Sequence, residues 1–499
     1  MLQESEVPEG WVSLTIQDVC DINPPKPKKG DIPDDASVTF VPMPAVDAEH
    51  GEISSPEIRP FSEVRSGFTA FRDGDVIMAK ITPCMENGKA AVAGGLVSGL
   101  GFGSTEFFVL RSNGSILPQY LFHHIRQVSF RELAESNMTG SVGQKRVPKE
   151  FIANAAIPLP PLAEQHRIVA AVEALFARLD AANARLERVP GILKRFRQTV
   201  LAAACDGRLT EDWRAESPEI EDANQLLSII TKTNQKSNLS KKSQVIISEE
   251  SKEIPSTWVW TRLGSVLDLT SGIAFKKNEY SENGVRLLQI ANVTFGKIIW
   301  GQEAFLPENY TEKYPNLVLK SGDLLMALNR PLLGDYLKIA FLTSRDAPAI
   351  LYQRVGRFDF YHADLKKYVY TFLNSPRFIE KLRADLRGVD QPFVTKRNLL
   401  RISIPLPPLP EQHEIVRRVD ALFALADKIE AEVAAARAKT ETMRQSILAQ
   451  AFSGRLVPTE AELARQEARE YEPASVLLER ICSEKKEKKG RKGVQSTLV

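Results

Sequence analysis

Residues 157–180 read IPLPPLAEQHRIVAAVEALFARLD, and residues 404–427 read IPLPPLPEQHEIVRRVDALFALAD. Of these 24 positions 17 are identical without a gap, and the copies stand 247 residues apart. The match resumes at the same offset in FRQTVLAAACDGRL (196–209) and MRQSILAQAFSGRL (443–456). In each copy the prolines of IPLPPL fix an extended lead-in and forbid an earlier helix start. A long helix then begins, with Glu164-Gln165 or Glu411-Gln412 in a first turn whose dipole suits a carboxylate; Pro410 is tolerated as a first helical residue. Apolar positions step alternately by four and three, from Ile168 through Val172, Leu175 and Leu179 to Val200. In the second copy they run from Ile415 through Val419 and Leu422 to Thr440, Met443 and Ile447. Such a period marks a coiled-coil seam, in helices of about 43 residues or ~64 Å. Pro190-Gly191 predicts a kink in the first helix, whereas Arg437-Ala438 in the second predicts a straighter rod. Gly207 and Gly454 are the expected stops.

Two unlike texts precede the copies. The first lobe, 1–156, has short β-like runs (ASVTFVPM, GDVIMAKI, STEFFVLR) and then a helical stretch, PQYLFHHIRQVSFRELAES (118–136). The second, 254–403, repeats that order with WVWTRLGSVLDL, VRLLQIANV and GDLLMALN before its own helix. Pro8 and Trp11 answer Pro255 and Trp258 at the 247-residue offset, and GDVIM (74–78) answers GDLLM (322–326). The expectation is an α+β protein: two similar mixed α/β lobes with different surfaces, each followed by a PLPPL lead-in and a long spacer helix at 157–209 and 404–457. A polar linker with one small helix, NQLLSII, fills 210–253, and a tail with SVLLERI fills 458–499.

The net charge of +2 argues weakly against a nonspecific nucleic-acid coat and says nothing against local basic faces. The run KKEKKGRK (485–492) reads as a solvated terminus. MLQESEVPEG has no apolar core, so a secretory signal is not expected, and no apolar run reaches membrane-span length. Cys20, Cys84, Cys205 and Cys482 are scattered without metal or redox spacing, which fits a reduced, cytoplasmic protein.

Motifs for chemistry are weak. Asn23-Pro24-Pro25 resembles the NPP core of amino-methyltransferases, but Lys26 stands where an aromatic must stack on the base. GLGFGS (99–104) opens no helix pattern, and neither a Walker A loop nor HExxH is present. Glu250-Ser251-Lys252 lies in the linker, where it supports no nuclease. The matched His166 and His413 have no nucleophile partner nearby and read as packing or subunit-contact residues. No active site is expected in this chain.

At IPLPPLAEQHRIV…ALFA and its second copy the chain closely resembles the DNA-specificity subunits of type I restriction–modification enzymes, over nearly its whole length. The stretch GDVIMAKITPCMENGKAAV…GFGSTEFFVL (74–110) is similar to one recurring recognition domain of that family; the second lobe departs from it after GDLLMALN. The resemblance implies two target-recognition domains separated by two long antiparallel coiled-coil helices, an internal pseudo-twofold repeat, and one half of a split, asymmetric duplex site per domain. It also implies two methyltransferase (M) subunits on the helical repeats and restriction (R) subunits beyond, so that S-adenosylmethionine, ATP and Mg belong to partners and no cofactor to this chain. Glu164, Gln165, His166, Glu411, Gln412 and His413 are the candidate docking residues. Rigidly held lobes would reach major-groove segments about one turn, ~34 Å, apart.

Base reading needs Arg, Lys, Asn or Gln at groove edges, and anchoring needs donors to phosphate. In the first lobe TGSVGQKRVPK (139–149) offers Gln144, Lys145 and Arg146; ITPCMENGK offers Lys80, Thr82, Asn87 and Lys89; GSTE offers Ser104 and Thr105. In the second, RGVDQPFVTKR offers Arg387, Gln391, Lys396 and Arg397, with Asn329 and Arg330 after GDLLM. Each residue alone also reads as an ordinary solvated one. Two competing readings remain: a self-sufficient methyltransferase or nuclease, which methyl transfer by the lone chain would reveal, and a coiled-coil adaptor without a DNA role, which gel shifts would reveal.

Overall fold

The strands that open and close each lobe display the duplication. Val12–Thr15 pairs antiparallel with Ala156–Leu159, Val12 opposite Leu159; Val259–Arg262 pairs with Ser403–Leu406, Val259 opposite Leu406. Both members of the pair are displaced by the same 247 residues. Pro158 and Pro405 therefore lie on the closing strand of a lobe, and the other lead-in prolines, Pro160, Pro161, Pro407 and Pro408, stand between that strand and the helix. The computed structural model describes residues 7–28, 30–236, 254–301, 303–388 and 390–495, with 233–236 and 485–495 as backbone only.

GDVIM and GDLLM form central strands because every residue of Val76–Ala79 and of Leu324–Ala327 is buried, a continuous apolar run rather than an alternating one. Gly74 and Gly322, both at φ +84, make the turn that feeds each strand, a conformation open to glycine. In the first lobe one sheet has the order Cys20–Ile22, Phe107–Ser112, Val76–Ala79, Ala90–Val92, all antiparallel. The other runs Glu57–Pro60, Ser37–Val41, Leu100–Gly103, Thr69–Arg72, its central pair parallel. The second lobe repeats both: Leu267–Ser271, Val355–Phe360, Leu324–Ala327, Ile339–Phe341, and Phe305–Leu306, Val285–Leu288, Ala349–Leu351, Val318–Leu319, again with a parallel central pair. A short hairpin, Leu332–Leu333 with Tyr336–Leu337, is an addition of the second lobe. The fold is α+β, two copies of one mixed lobe.

The chain divides into two compact units: Met1–Glu187 with Ala434–Val499, and Arg188–Val433. In the first unit helix Leu162–Leu186 runs antiparallel to the last part of helix Leu409–Phe452. Arg444 pairs with Asp180 and lies 4.8 Å from the Phe176 ring, while Arg167 and Glu460 close the other end at 2.6 Å. Ile168, Val172, Leu448 and Ala451 join the core of the first lobe. In the second unit helix Val189–Asp206 runs antiparallel to the beginning of Leu409–Phe452. Arg197 bonds Asp427 at 2.5 Å and Glu430 at 3.1 Å, and Val200, Leu201 and Ala204 share a core with Ile415, Val416 and Val419.

The first helix breaks as expected, but four residues before its proline, at Leu186. Pro190 cannot donate to the carbonyl of that residue and its ring crowds it, so the helix restarts at Val189. The second helix is uninterrupted over 44 residues. Its expected seam holds as far as Thr440 and then slips: Met443 is 44% exposed, and Leu448 and Ala451 are buried instead. A straight helix drifts from a strict heptad, and here the lobe's aromatic wall, with Tyr120 4.8 Å from Phe452, selects the new face. Gly207 and Gly454 stop the helices at φ +81 and +71.

The stretch after each helix folds back on a lobe. Helices Glu211–Glu216 and Ala223–Lys236 follow the first, and Leu226, Leu227 and Ile230 enter the second lobe's core. Helices Glu460–Gln466 and Ala474–Gln495 follow the second, with Ala474 in the first lobe's core. The Ala223 amide donates to Thr257 and the Ala474 amide to Gly10, each at 3.1 Å. The remainder of the polar linker, 237–253 with its Glu250-Ser251-Lys252 triplet, lies outside the described residues, as do the side chains of the basic run 485–492. Among the described residues no helix is long and apolar enough to cross a membrane.

Candidate nucleic-acid interface

Backbone hydrogen bonds draw three segments of the first lobe together where strand Val76–Ala79 ends. Lys80 N donates to Glu106 O at 2.9 Å, Val147 N to Lys80 O at 2.9 Å and Thr82 N to Lys145 O at 3.0 Å. Bridges Ile81–Arg146 and Thr139–Arg146 complete the patch. ITPCMENGK, GSTE and TGSVGQKRVPK are thus one surface. The second lobe builds the same device: Val394 N donates to Leu328 O at 2.9 Å and Arg330 N to Pro392 O at 2.6 Å, with bridges Asn329–Phe393 and Arg387–Phe393.

The side chains on these loops are not equivalent. Gln144 and Lys145 are exposed, beside Val142, whose exposure of 96% marks the tip. Arg146 is held by Glu106, Nη2 to Oε1 at 2.8 Å and Nε to Oε2 at 3.0 Å. That bond lowers the Glu106 carboxyl and raises the Arg146 guanidinium. Three candidates are turned to local work: Thr82 Oγ1 donates to Glu86 at 2.8 Å, Lys89 Nζ to the Met43 carbonyl at 3.0 Å, and Ser104 Oγ accepts the Glu106 amide at 3.1 Å. The Lys80 ammonium stands 5.6 Å from the Phe108 ring; Asn87 and Thr105 are exposed. In the second lobe Arg387, Gln391 and Arg397 are exposed, and Asn329 is half-buried. Arg330 sits at φ +45 and donates to the Asp390 carbonyl at 3.2 Å, so its backbone is strained and its head partly engaged. Lys396 pairs with Asp268 at 2.7 Å.

Sequence reasoning missed Glu106 and Asp268, the acids that hold Arg146 and Lys396. Glu106 was visible as the last letter of GSTE, but its partner lies 40 residues on. The docking set also needs correction. Glu164, Gln165, Glu411 and Gln412 have no exposed surface, so a partner subunit cannot touch them in this conformation. Trp11 Nε1 donates to Glu164 Oε1 at 2.9 Å, and Trp258 Nε1 to Glu411 Oε2 at 2.8 Å. Glu164 also accepts the Glu460 amide at 2.8 Å, and Glu411 accepts the Thr210 hydroxyl at 2.7 Å and an Arg214 N–H. The Gln165 amide donates to Ser115 O and Pro160 O and accepts from Leu117 N, while Gln412 donates to Pro407 O at 2.8 Å. These four side chains latch each helix to its own lobe. His166 and His413 remain exposed. The shared offset of Trp11/Trp258 and Glu164/Glu411 was the signal that could have revealed the latch.

One lobe fold used twice, latched to duplicated helices by a matching Trp–Glu bond and carrying different polar loops at the same place, defines a duplicated recognition scaffold. The type I restriction modification DNA specificity domain matches residues 8–190 and 255–435, and the chain belongs to that family of specificity subunits. It is 32% identical over 477 residues to the type I restriction enzyme EcoAI specificity subunit of Escherichia coli, covering 85% of this chain and 79% of that protein. To the MjaVIII specificity subunit of Methanocaldococcus jannaschii it is 36% identical over 324 residues, 64% of this chain and 67% of that one. Two solved structures share the fold. A chain from a study of complex assembly and conformational transition of the type I R-M system superposes with TM-score 0.65 at 23% identity, covering 90% of this chain and all (100%) of that one. The HsdS subunit from Thermoanaerobacter tengcongensis gives TM-score 0.56 at 22% identity, over 91% and 99%.

Proposed function

We propose that this chain reads a split, asymmetric duplex site, one half with Gln144, Lys145, Arg146 and their neighbours, the other with Arg387, Gln391, Arg397 and theirs. The carrying observation is the contrast between two loop clusters set on the same strand exit and the unlike side chains they expose. In this reading the chain has no active site of its own. Two methyltransferase subunits dock on the helical repeats, where His166 and His413 are exposed, and restriction subunits join them in the cytoplasm. S-adenosylmethionine, ATP and Mg act on those partners. Lys80, Thr82, Lys89, Ser104 and Lys396 shape the loops, and the exposed residues supply contacts to bases and phosphates.

The test is a map of methylated adenines, by single-molecule sequencing, in cells expressing this chain with its methyltransferase. Arg387→Ala with Gln391→Ala is expected to relax one half of a gapped motif and leave the other intact. Gln144→Ala with Lys145→Ala is expected to do the reverse. A motif without a gap, or both halves relaxing with either pair, would overturn the assignment.

A further inference from the structure

In the first unit a cavity of about 150 Å³ opens between the lobe and its helices, lined among others by Arg126, Arg131, Arg444, His123 and Phe176. Three guanidinium groups around so small a space need an explanation, because like charges repel and burial penalises each. Arg126 lies 5.1 Å from the Phe122 ring, its Nη2 bonded to the carbonyls of Ala48 at 2.8 Å and Glu49 at 2.6 Å. Gly51 makes room for it: a Cβ there would meet Arg126 Nη1 at 2.3 Å. Arg131 Nη1 donates to the Glu86 carbonyl at 2.7 Å, and its Nε is buried with no hydrogen-bond partner. Arg444 pairs with Asp180. Burial first, then Arg131 and Arg444, push the Arg126 guanidinium down to about 10. Glu49 and Glu441 stand at the rim with exposed side chains, and neither is ion-paired to the three arginines.

The internal repeat provides the control. A cavity in the second unit, about 740 Å³, is lined by the matching positions: Asn374 for Arg126, Ile379 for Arg131, Thr371 for His123 and Arg197 for Arg444. There Arg197 pairs with Asp427 and Glu430, as Arg444 does with Asp180, and the two other cations of the lining, Lys194 and Arg383, pair with Asp335. At this junction the second unit matches its cations with acids, whereas in the first unit Arg126 and Arg131 have no carboxylate in ion-pair contact among the described residues.

We propose that the first-unit cavity is a binding site for one tetrahedral oxyanion of the phosphate class, held by Arg126, Arg131 and Arg444. Guanidinium forks match such oxygens in geometry and charge. The volume admits a single phosphate group with a little water, so the group is either the free ion or the end of a nucleotide whose remainder lies outside. Arg131 also holds the Glu86 carbonyl, so an anion that fixes Arg131 braces the 80–89 loop from behind.

The test is thermal unfolding of the full chain at constant ionic strength, with chloride exchanged for inorganic phosphate in one arm and for Mg-free ATP in the other. The melting temperature is expected to rise by about 3 °C or more for each tenfold increase above the dissociation constant. A rise with phosphate assigns the free ion and a rise with ATP alone assigns a nucleotide; both support the site. No rise beyond the chloride control in either arm overturns it, and that titration needs no variant. Arg131→Gln and Arg444→Gln should each weaken the effect at least about tenfold. Arg383→Gln, beside the second cavity, should leave it unchanged. An effect undiminished in both of the first two variants also overturns the proposal.

Discussion

Replacing Glu411 with alanine removes one carboxylate and leaves three donors behind. The Trp258 indole N–H loses its acceptor at 2.8 Å, the Thr210 hydroxyl its own at 2.7 Å, and Arg214 its ion-pair partner. The Glu411 side chain is fully buried and that of Arg214 is 17% exposed, so water compensates little. A hydrogen bond to a charged group contributes ~1.5–3 kcal/mol, and breaking a buried pair from one side costs ~3–5 kcal/mol. The three bonds share one carboxylate and do not add, so the expected loss is about 4 kcal/mol, or roughly a thousandfold in the folding equilibrium. Glu164→Ala is the internal comparison. It leaves two donors, Trp11 Nε1 and the Glu460 amide, and no directly bonded cation. Its expected loss is about 2 kcal/mol. Urea unfolding of the full chain, followed by circular dichroism and tryptophan fluorescence, should show each variant displacing the transition of its own unit. A smaller displacement for Glu411→Ala than for Glu164→Ala, or a loss under about 1 kcal/mol, would refute the latch as the reason for this invariant geometry within the chain.

Other expectations concern charge and backbone. Arg417 foremost, then Arg418 against the effect of burial, holds the Glu414 carboxyl down to about 2 from its ordinary 4.5. The stability this supplies is complete above 4.5 and lost as pH falls through about 2, so Glu414→Gln should cost ~0.5–1 kcal/mol at pH 7 and nothing near pH 2. Urea midpoints at both pH values decide it, and an undiminished gap at pH 2 sinks it. Arg387→Ala should reduce the salt dependence of duplex binding by about one unit of log–log slope, and Arg146→Ala by less, because Glu106 already pairs with it. The reverse order in a salt titration would count against the loop assignment. Gly272→Ala places a Cβ 2.2 Å from the Tyr352 carbonyl oxygen and should destabilise by about 2 kcal/mol. Gly191→Ala, helical and facing open space, should stabilise by about 1 kcal/mol; thermal unfolding showing equal effects would contradict both readings.

The repeat, the glycine stops and the long helices were all legible, because each rests on local pattern or on a fixed offset. That Lys145 and Gln391 stand exposed on loops was legible because glycine-rich loops before a helix are local features. Their neighbours were harder. Lys89 looks the same on paper whether it faces solvent or the Met43 carbonyl, 46 residues away. The four buried members of the docking set were misjudged for a related reason: Glu164 suits a helix start, and nothing nearby says that Trp11, 153 residues earlier, buries it. The seam slipped after Thr440 because tertiary packing against Tyr120 and Phe452 outweighs a heptad that a straight helix does not keep. The arginine cavity draws on five distant segments and leaves no linear trace.

The first unit is sewn from both ends of the chain, since Trp11, Ile168 and Val172 share their core with Leu448, Ala451 and Ala474. The second unit is one uninterrupted stretch, Arg188–Val433. On the ribosome the order of completion is therefore inverted. The lobe made first stays unfinished while roughly 300 further residues emerge, on the order of 15–60 s at bacterial elongation rates. The lobe made second can close as soon as it is released. A nascent chain stalled before Ala434 would carry a finished second head and an open first one, with the indole of Trp11 and the apolar face of Leu162–Leu186 exposed to chaperones and proteases.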